Sequence, residues 1–165
     1  MEVKLQAYKG FIRPVLEYAS TAWDPHQFCL QEKLKKVQKR ASRFITSNYN
    51  YEPGSITTIL NQTKLEPLKE RRKQNRLILF CNGVHHLVEI PTDNLQRPLR
   101  KTKNMHSQHY LRLPAKTDIL KFSFLPNTVK DWNLLPPDII NKIQSAEEPA
   151  ISFADIVGGP SICKP

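Results

Sequence analysis

The chain has 165 residues, enough for one ordinary domain with or without a tail, and its 39% hydrophobic share allows only a modest core. Its formal net charge of +10 is confined to the middle: residues 33–121 hold 19 Lys/Arg against 6 Asp/Glu, while the remainder holds 6 against 9. Lys4, Lys9, Arg13 and Glu17 break up the first twenty residues and no apolar run nears the ~20 needed to cross a bilayer, which excludes a signal peptide and a membrane span and predicts an intracellular protein of nucleus or cytoplasm.

The first predicted helix runs from about Val3 to Ala19, with Tyr8, Ile12, Val15, Leu16 and Ala19 at three- and four-residue steps on one face. Pro14 stands inside it, lacks a backbone donor and crowds the preceding turn, so a kink or a split is expected there. Asp24-Pro25 reads as a turn opening the next helix, with Asp as its cap. That helix, near residues 26–46, has Leu30, Leu34, Val37, Ala41, Phe44 and Ile45 on a docking face and Lys33, Lys35, Lys36, Lys39, Arg40 and Arg43 on the other side.

Pro53-Gly54 marks a loop, and Ser55 is expected to cap a short helix through Leu60. A longer helix starts near Glu66-Pro67 and runs to about Leu87, with a basic first half and an apolar second half, and Pro91 ends it. A basic loop follows, with Arg97, Arg100, Lys101 and Lys103. The alternation at His109–Leu113 predicts a short strand or hairpin within 106–113. Phe122, Phe124, Val129, Trp132 and Leu135 cluster around a helix expected to start at Pro126, and Pro137 starts another through Ile143. The chain is then acidic and Gly/Pro-rich, and its end is expected to be disordered.

The residues carry no catalytic constellation. Cys29, Cys81 and Cys163 form no C-x-x-C pair, which fits free thiols in a reducing compartment. Cys81 and His85 share a helix side beside His86, with His106 and His109 further on, but two such ligands fall short of the four a structural zinc wants. Phe153-Ala154-Asp155 offers one carboxylate where two-metal chemistry needs several. The candidate phosphate contacts are Arg13; Lys33, Lys36, Lys39, Arg40 and Arg43; Lys69, Arg71, Arg72, Lys73 and Arg76; and Arg100, Lys101 and Lys103. The bland alternative is a solvated basic face. Tyr49, Tyr51 and Tyr110 flank basic segments, where an exposed ring would stack on an unpaired base and a packed one would not.

Four blocks occur in order: Tyr8–Ala19 closed by Trp23-Asp24-Pro25; Lys36–Ile45; Leu65–Arg72; and Phe122–Pro136 with its Phe124, Pro126 and Trp132-Asn133. The set resembles the segment that comes after the polymerase core in reverse transcriptases of LINE-like (non-LTR, jockey/CR1-type) retrotransposons. The resemblance implies a mainly α fold, a small helical bundle with a kinked first helix. It implies a thumb-like region at 1–90, a post-thumb region at 91–145 and an irregular tail at 146–165. Pro14, Trp23, Phe44, Phe124 and Trp132 would be structural. RNA, DNA or their hybrid would be the partner, together with the polymerase core of the parent protein. The catalytic carboxylates and divalent metal of the family's RNA-directed DNA polymerase would belong to its palm, leaving this segment no enzyme on its own and without a cofactor. A truncated, non-functional remnant of such an element is the other expectation.

Overall fold

The computed structural model describes residues 1–145 except 53, 93, 101, 103 and 104; over these the chain is mainly helical, with no β-strand. The expectations for Pro53, Lys101, Lys103, Asp155, Cys163 and the tail at 146–165 fall outside the described residues. The chain divides into two compact units, Met1–Arg72 and Lys73 onward.

Pro14 governs the start of the first unit. Having no N–H, it cannot continue the ladder of α1 (Glu2–Ala7), and a π-helical turn (Tyr8–Ile12) intervenes before α2 (Arg13–Glu17). Arg13 N–H reaches back five residues to Tyr8 O. The extra residue rotates α2 by roughly 100° relative to an unbroken helix. Tyr8 is therefore buried, while Ile12 and Val15 are 44% and 74% exposed and the expected single apolar face does not exist. Burial raises the Tyr8 phenol above its ordinary value, with Glu17 adding to the effect. The helix ends at Glu17, where Ala19 takes a left-handed φ of 49°. Trp23, closing α3 (Ser20–Trp23), donates its indole Nε1–H to Tyr18 O at 2.6 Å across that turn.

Asp24 does not cap α4 (Phe28–Thr46); Gln27 holds that position without a side-chain bond, and the Asp24 carboxylate is taken by Arg72. The buried residues of α4 are Gln38, Ser42 and Ile45. Gln38 is buried because both ends of its amide are used: Nε2 donates to Glu66 O at 2.7 Å, and Oε1 accepts from Leu68 N at 3.2 Å, fixing the first residue of α6 (Leu68–Val84). Tyr8, Ile45 and Leu65 form the small core, with Leu5, Ala41 and Leu60 against it. The expected docking face of α4 is thus split. Leu30, Val37 and Phe44 are 40%, 40% and 55% exposed, and Lys4 Nζ lies 4.7 Å over the Phe44 ring.

Three further helices close on a left-handed residue that is not glycine. After α4, α5 (Ser55–Thr63) and α6, the residues Ser47, Lys64 and His86 adopt φ of 53°, 51° and 58°. In each case the next N–H (Asn48, Leu65, Leu87) bonds a carbonyl five residues back (Arg43, Leu60, Asn82), the paired-bond closure of a Schellman end. So α6 stops at Val84, three residues before the expected end and well before Pro91.

The second unit packs Leu77, Phe80 and Cys81 of α6 against Val129 and Trp132 of α8 (Phe124–Trp132) and Ile140 and Ile143 of α9 (Pro137–Ser145). Phe80 meets Trp132 and Tyr110 edge-on, with centroids 5.1 and 5.8 Å apart. Burial pushes the Cys81 thiol up to about 12, so it behaves as an apolar filler. α9 opens at Pro137 as expected. α8 opens two residues before Pro126, whose missing donor is harmless in a first turn, and a short α7 (Asp118–Lys121) capped by Thr117 precedes it.

The predicted strand at 106–113 does not form. Asn133 clasps Tyr110 instead, accepting its N–H at 3.1 Å and donating Nδ2–H to its carbonyl at 2.8 Å. Trp132 Nε1–H donates to Gln108 O at 2.9 Å, and Leu111 N–H to Gln96 O at 2.8 Å. Two side chains supply what a neighbouring strand would have supplied.

His106 completes this ring around Trp132. Its Nε2 lies 3.1 Å from Trp132 O, so the proton sits there, and buried Nδ1 has no partner among the described residues. Burial holds the imidazole below its ordinary 6.5; the Trp132 bond works the other way and His109 adds to the lowering. His85 and His109 are also lowered, chiefly by burial. All three resist protonation in the folded state, so their stabilising effect is complete above about 6.5 and is lost as pH falls through their lowered values. Chemical denaturation at pH 7.5, 6.5 and 5.5 should show falling stability, with a shallower slope in His106→Gln. A flat or rising profile would contradict the assignment.

Candidate nucleic-acid interface

On α4 the steps Lys33, Lys36, Arg40, Arg43 are three, four and three residues, which places the four cations within roughly 80° of arc and over about 15 Å of helix. Lys33, Lys36 and Arg40 are exposed; Arg43 is half-buried with its guanidinium 4.1 Å over the Tyr51 ring. Lys39, half-buried, borders the strip. Glu32, the only acid on α4, bonds Lys35 at 2.9 Å, and that bond holds its carboxyl below the usual range. None of the four strip cations enters an ion pair among the described residues.

The three arginines of α6 are placed differently. Arg71, Arg72 and Arg76 are 7%, 2% and 5% exposed. Arg71 bonds both oxygens of Glu17, Nη2 to Oε2 at 3.0 Å, and its Nη1 lies 3.7 Å from Glu66. The Glu17 bond raises its already high pKa. Arg72 Nε donates to Asp24 Oδ1 at 2.6 Å, and Arg76 Nη2 to Asp131 Oδ2 at 2.8 Å. A charge this deep must be matched where it lies, so these three arginines hold elements together. Arg13, half-buried, has its Nε 3.9 Å from Glu17 as well. Lys69 is exposed, Lys73 half-buried, and Arg100 exposed on an irregular stretch.

Among the aromatics, Tyr49 and Tyr51 are 58% and 75% exposed, whereas Tyr110 is a core residue. Of the five expected structural residues, Trp132 is in the core, Phe124 packs against it, Trp23 ties a turn and Pro14 comes directly after the π-turn and Arg13; Phe44 is the exception, facing outward. Among the described residues no three His, Cys, Asp or Glu converge on a metal position. No described helix is long and apolar enough to cross a membrane.

Sequence reading missed a groove in the first unit. A cavity of about 390 Å³ lies beside the amino-terminal half of α4, walled by Phe28, Ile56, Leu60 and Leu68, with Lys39 and Lys69 among its polar lining. Its walls come from three helices, so no local spacing announces it. No protein-family model, curated protein or solved structure matches the chain.

The ion pairs carry a direct consequence. Asp24→Ala should cost the first unit about 3–5 kcal/mol in chemical denaturation, because Arg72 is left buried without its carboxylate. Lys36→Ala, on the solvated strip, should stay within about 0.5 kcal/mol. Comparable small losses in both would show that the Arg72 pair is not holding the fold.

Proposed function

We propose that this chain binds nucleic acid through the strip Lys33–Lys36–Arg40–Arg43 and makes no bonds itself, as the helical segment beyond the polymerase core does in the LINE-like reverse transcriptases it resembles. The observation that carries this reading is a run of four neighbouring cations on one helix, none of them in an ion pair among the described residues. The ordered sequence blocks give it a context. Such a strip tracks a sugar–phosphate backbone and reads no base edges, so RNA, DNA and hybrid are all candidate ligands. With Arg71, Arg72 and Arg76 engaged internally, the footprint is smaller than the basic count implies and centres on α4.

A second reading is favoured by a separate observation. Phe11, Val15 and Tyr18 are 78%, 74% and 81% exposed, and Leu30, Val37 and Phe44 repeat every seven residues along α4 with 40–55% exposure. Runs of exposed apolar residues mark a surface built to be covered. On this reading the chain is a remnant, inactive alone, whose helices are made to dock on the polymerase core of a parent protein.

The test is a salt titration with purified protein and duplex, hybrid and single-stranded oligonucleotides. Four phosphate contacts predict that the logarithm of the association constant falls by about 3–4 per tenfold rise in salt. Changing Lys33, Lys36, Arg40 and Arg43 together to Ala should remove most of that slope and leave the circular dichroism spectrum intact. Affinity insensitive to salt, or a quadruple variant binding as well as the parent, would move the site off α4 or dispose of it.

A further inference from the structure

On the reading of this chain as a nucleic-acid binder, we infer that the groove beside α4 accepts one unpaired base of a single strand while lysines at its edge hold the adjoining phosphates. The groove, at about 390 Å³, is at the small end of ligand sites, which run from ~300 to ~1,000 Å³. Its walls are mostly apolar. Leu68 is 3% exposed, Ile56 and Leu60 are half-buried, and Phe28 presents a ring that is 76% exposed. An aromatic left open to water beside an apolar recess is a stacking platform for a flat heterocycle, since every base has a π-face.

The polar lining argues for a base taken in by shape. Gln38 has both ends of its amide engaged, by Glu66 O and Leu68 N, and Gln31 donates Nε2–H to Pro25 O at 2.8 Å. Neither amide is left to read base edges in full, so the groove should be tolerant of sequence. The charge is suited to the strand on either side. Lys35, Lys39 and Lys69 stand against Glu32 and Glu70 in the lining, and Lys35 already neutralises Glu32. Arg72, also in the wall, is held by Asp24. On α4, Lys39 lies between the groove and the exposed strip, so a strand tracking the strip passes the opening. A duplex can meet the strip but keeps its bases stacked inside, so the groove distinguishes the two forms.

The experiment uses the full chain with a single-stranded oligonucleotide carrying 2-aminopurine and with the duplex of the same sequence, for wild type, Phe28→Ala and Phe28→Trp. The expected result is tighter binding of the single strand with a change in 2-aminopurine fluorescence. Alanine at 28 should weaken single-strand binding by roughly 5- to 100-fold, leave duplex binding and its salt slope unchanged, and be rescued by Trp. Single-strand affinity unaffected by Phe28→Ala, with duplex binding intact, overturns the groove assignment and spares the strip. No binding of either form at low salt overturns both. Light scattering that shows self-association in wild type and its loss in Phe28→Ala would make the groove a contact between copies and also overturn the proposal.

Discussion

Arg71 and Arg72 open α6 with their guanidinium groups almost out of water, and the first unit is arranged around meeting that demand. Moving an ion from water to a protein interior costs several kcal/mol even after relaxation, so each guanidinium needs a carboxylate at its own depth. Glu17 at the end of α2 and Asp24 after α3 supply them from 54 and 48 residues away. The same requirement explains why Asp24 does not cap α4. The hydrophobic core of this unit is small, and matched charges stand beside it.

That arrangement sorts the basic residues into two populations that the sequence presents as one. Cations on α4 are neighbours along a single helix, with the one local acid already engaged, so their exposure stems from periodicity and was legible. The arginines of α6 look the same in composition, yet their fate depends on acids far away in the chain, which no local window contains. Asp131 does for Arg76 in the second unit what Glu17 and Asp24 do in the first.

The elements themselves show the same divide. α4 and the Pro137 start of α9 match their patterns within a residue or two, because apolar spacing and proline act locally. Ends were less visible. Ser47, Lys64 and His86 occupy left-handed positions that glycine usually marks, and the closure there relies on backbone bonds indifferent to side-chain identity. The π-turn was hidden for a related reason: Pro14 announces a disturbance, but whether the chain kinks or widens depends on which carbonyl the preceding N–H finds. Within α4, the apolar stripe was read as one surface. Packing used its Ala41–Ile45 side and left Leu30, Val37 and Phe44 beside the cations, giving the helix an oily margin along its charged strip. The division between units, placed inside α6, leaves no mark in composition.

Asn133 gives the second unit a chemical lifetime as well as a fold. One primary amide both accepts from and donates to Tyr110, and in doing so secures the loop that wraps Trp132. Hydrolysis of that amide to a carboxylate would leave oxygen where a donor stood, set against the Tyr110 carbonyl, since an ionised carboxylate can only accept. The attachment would turn from clasp to repulsion through an ageing reaction that needs no enzyme and barely alters mass.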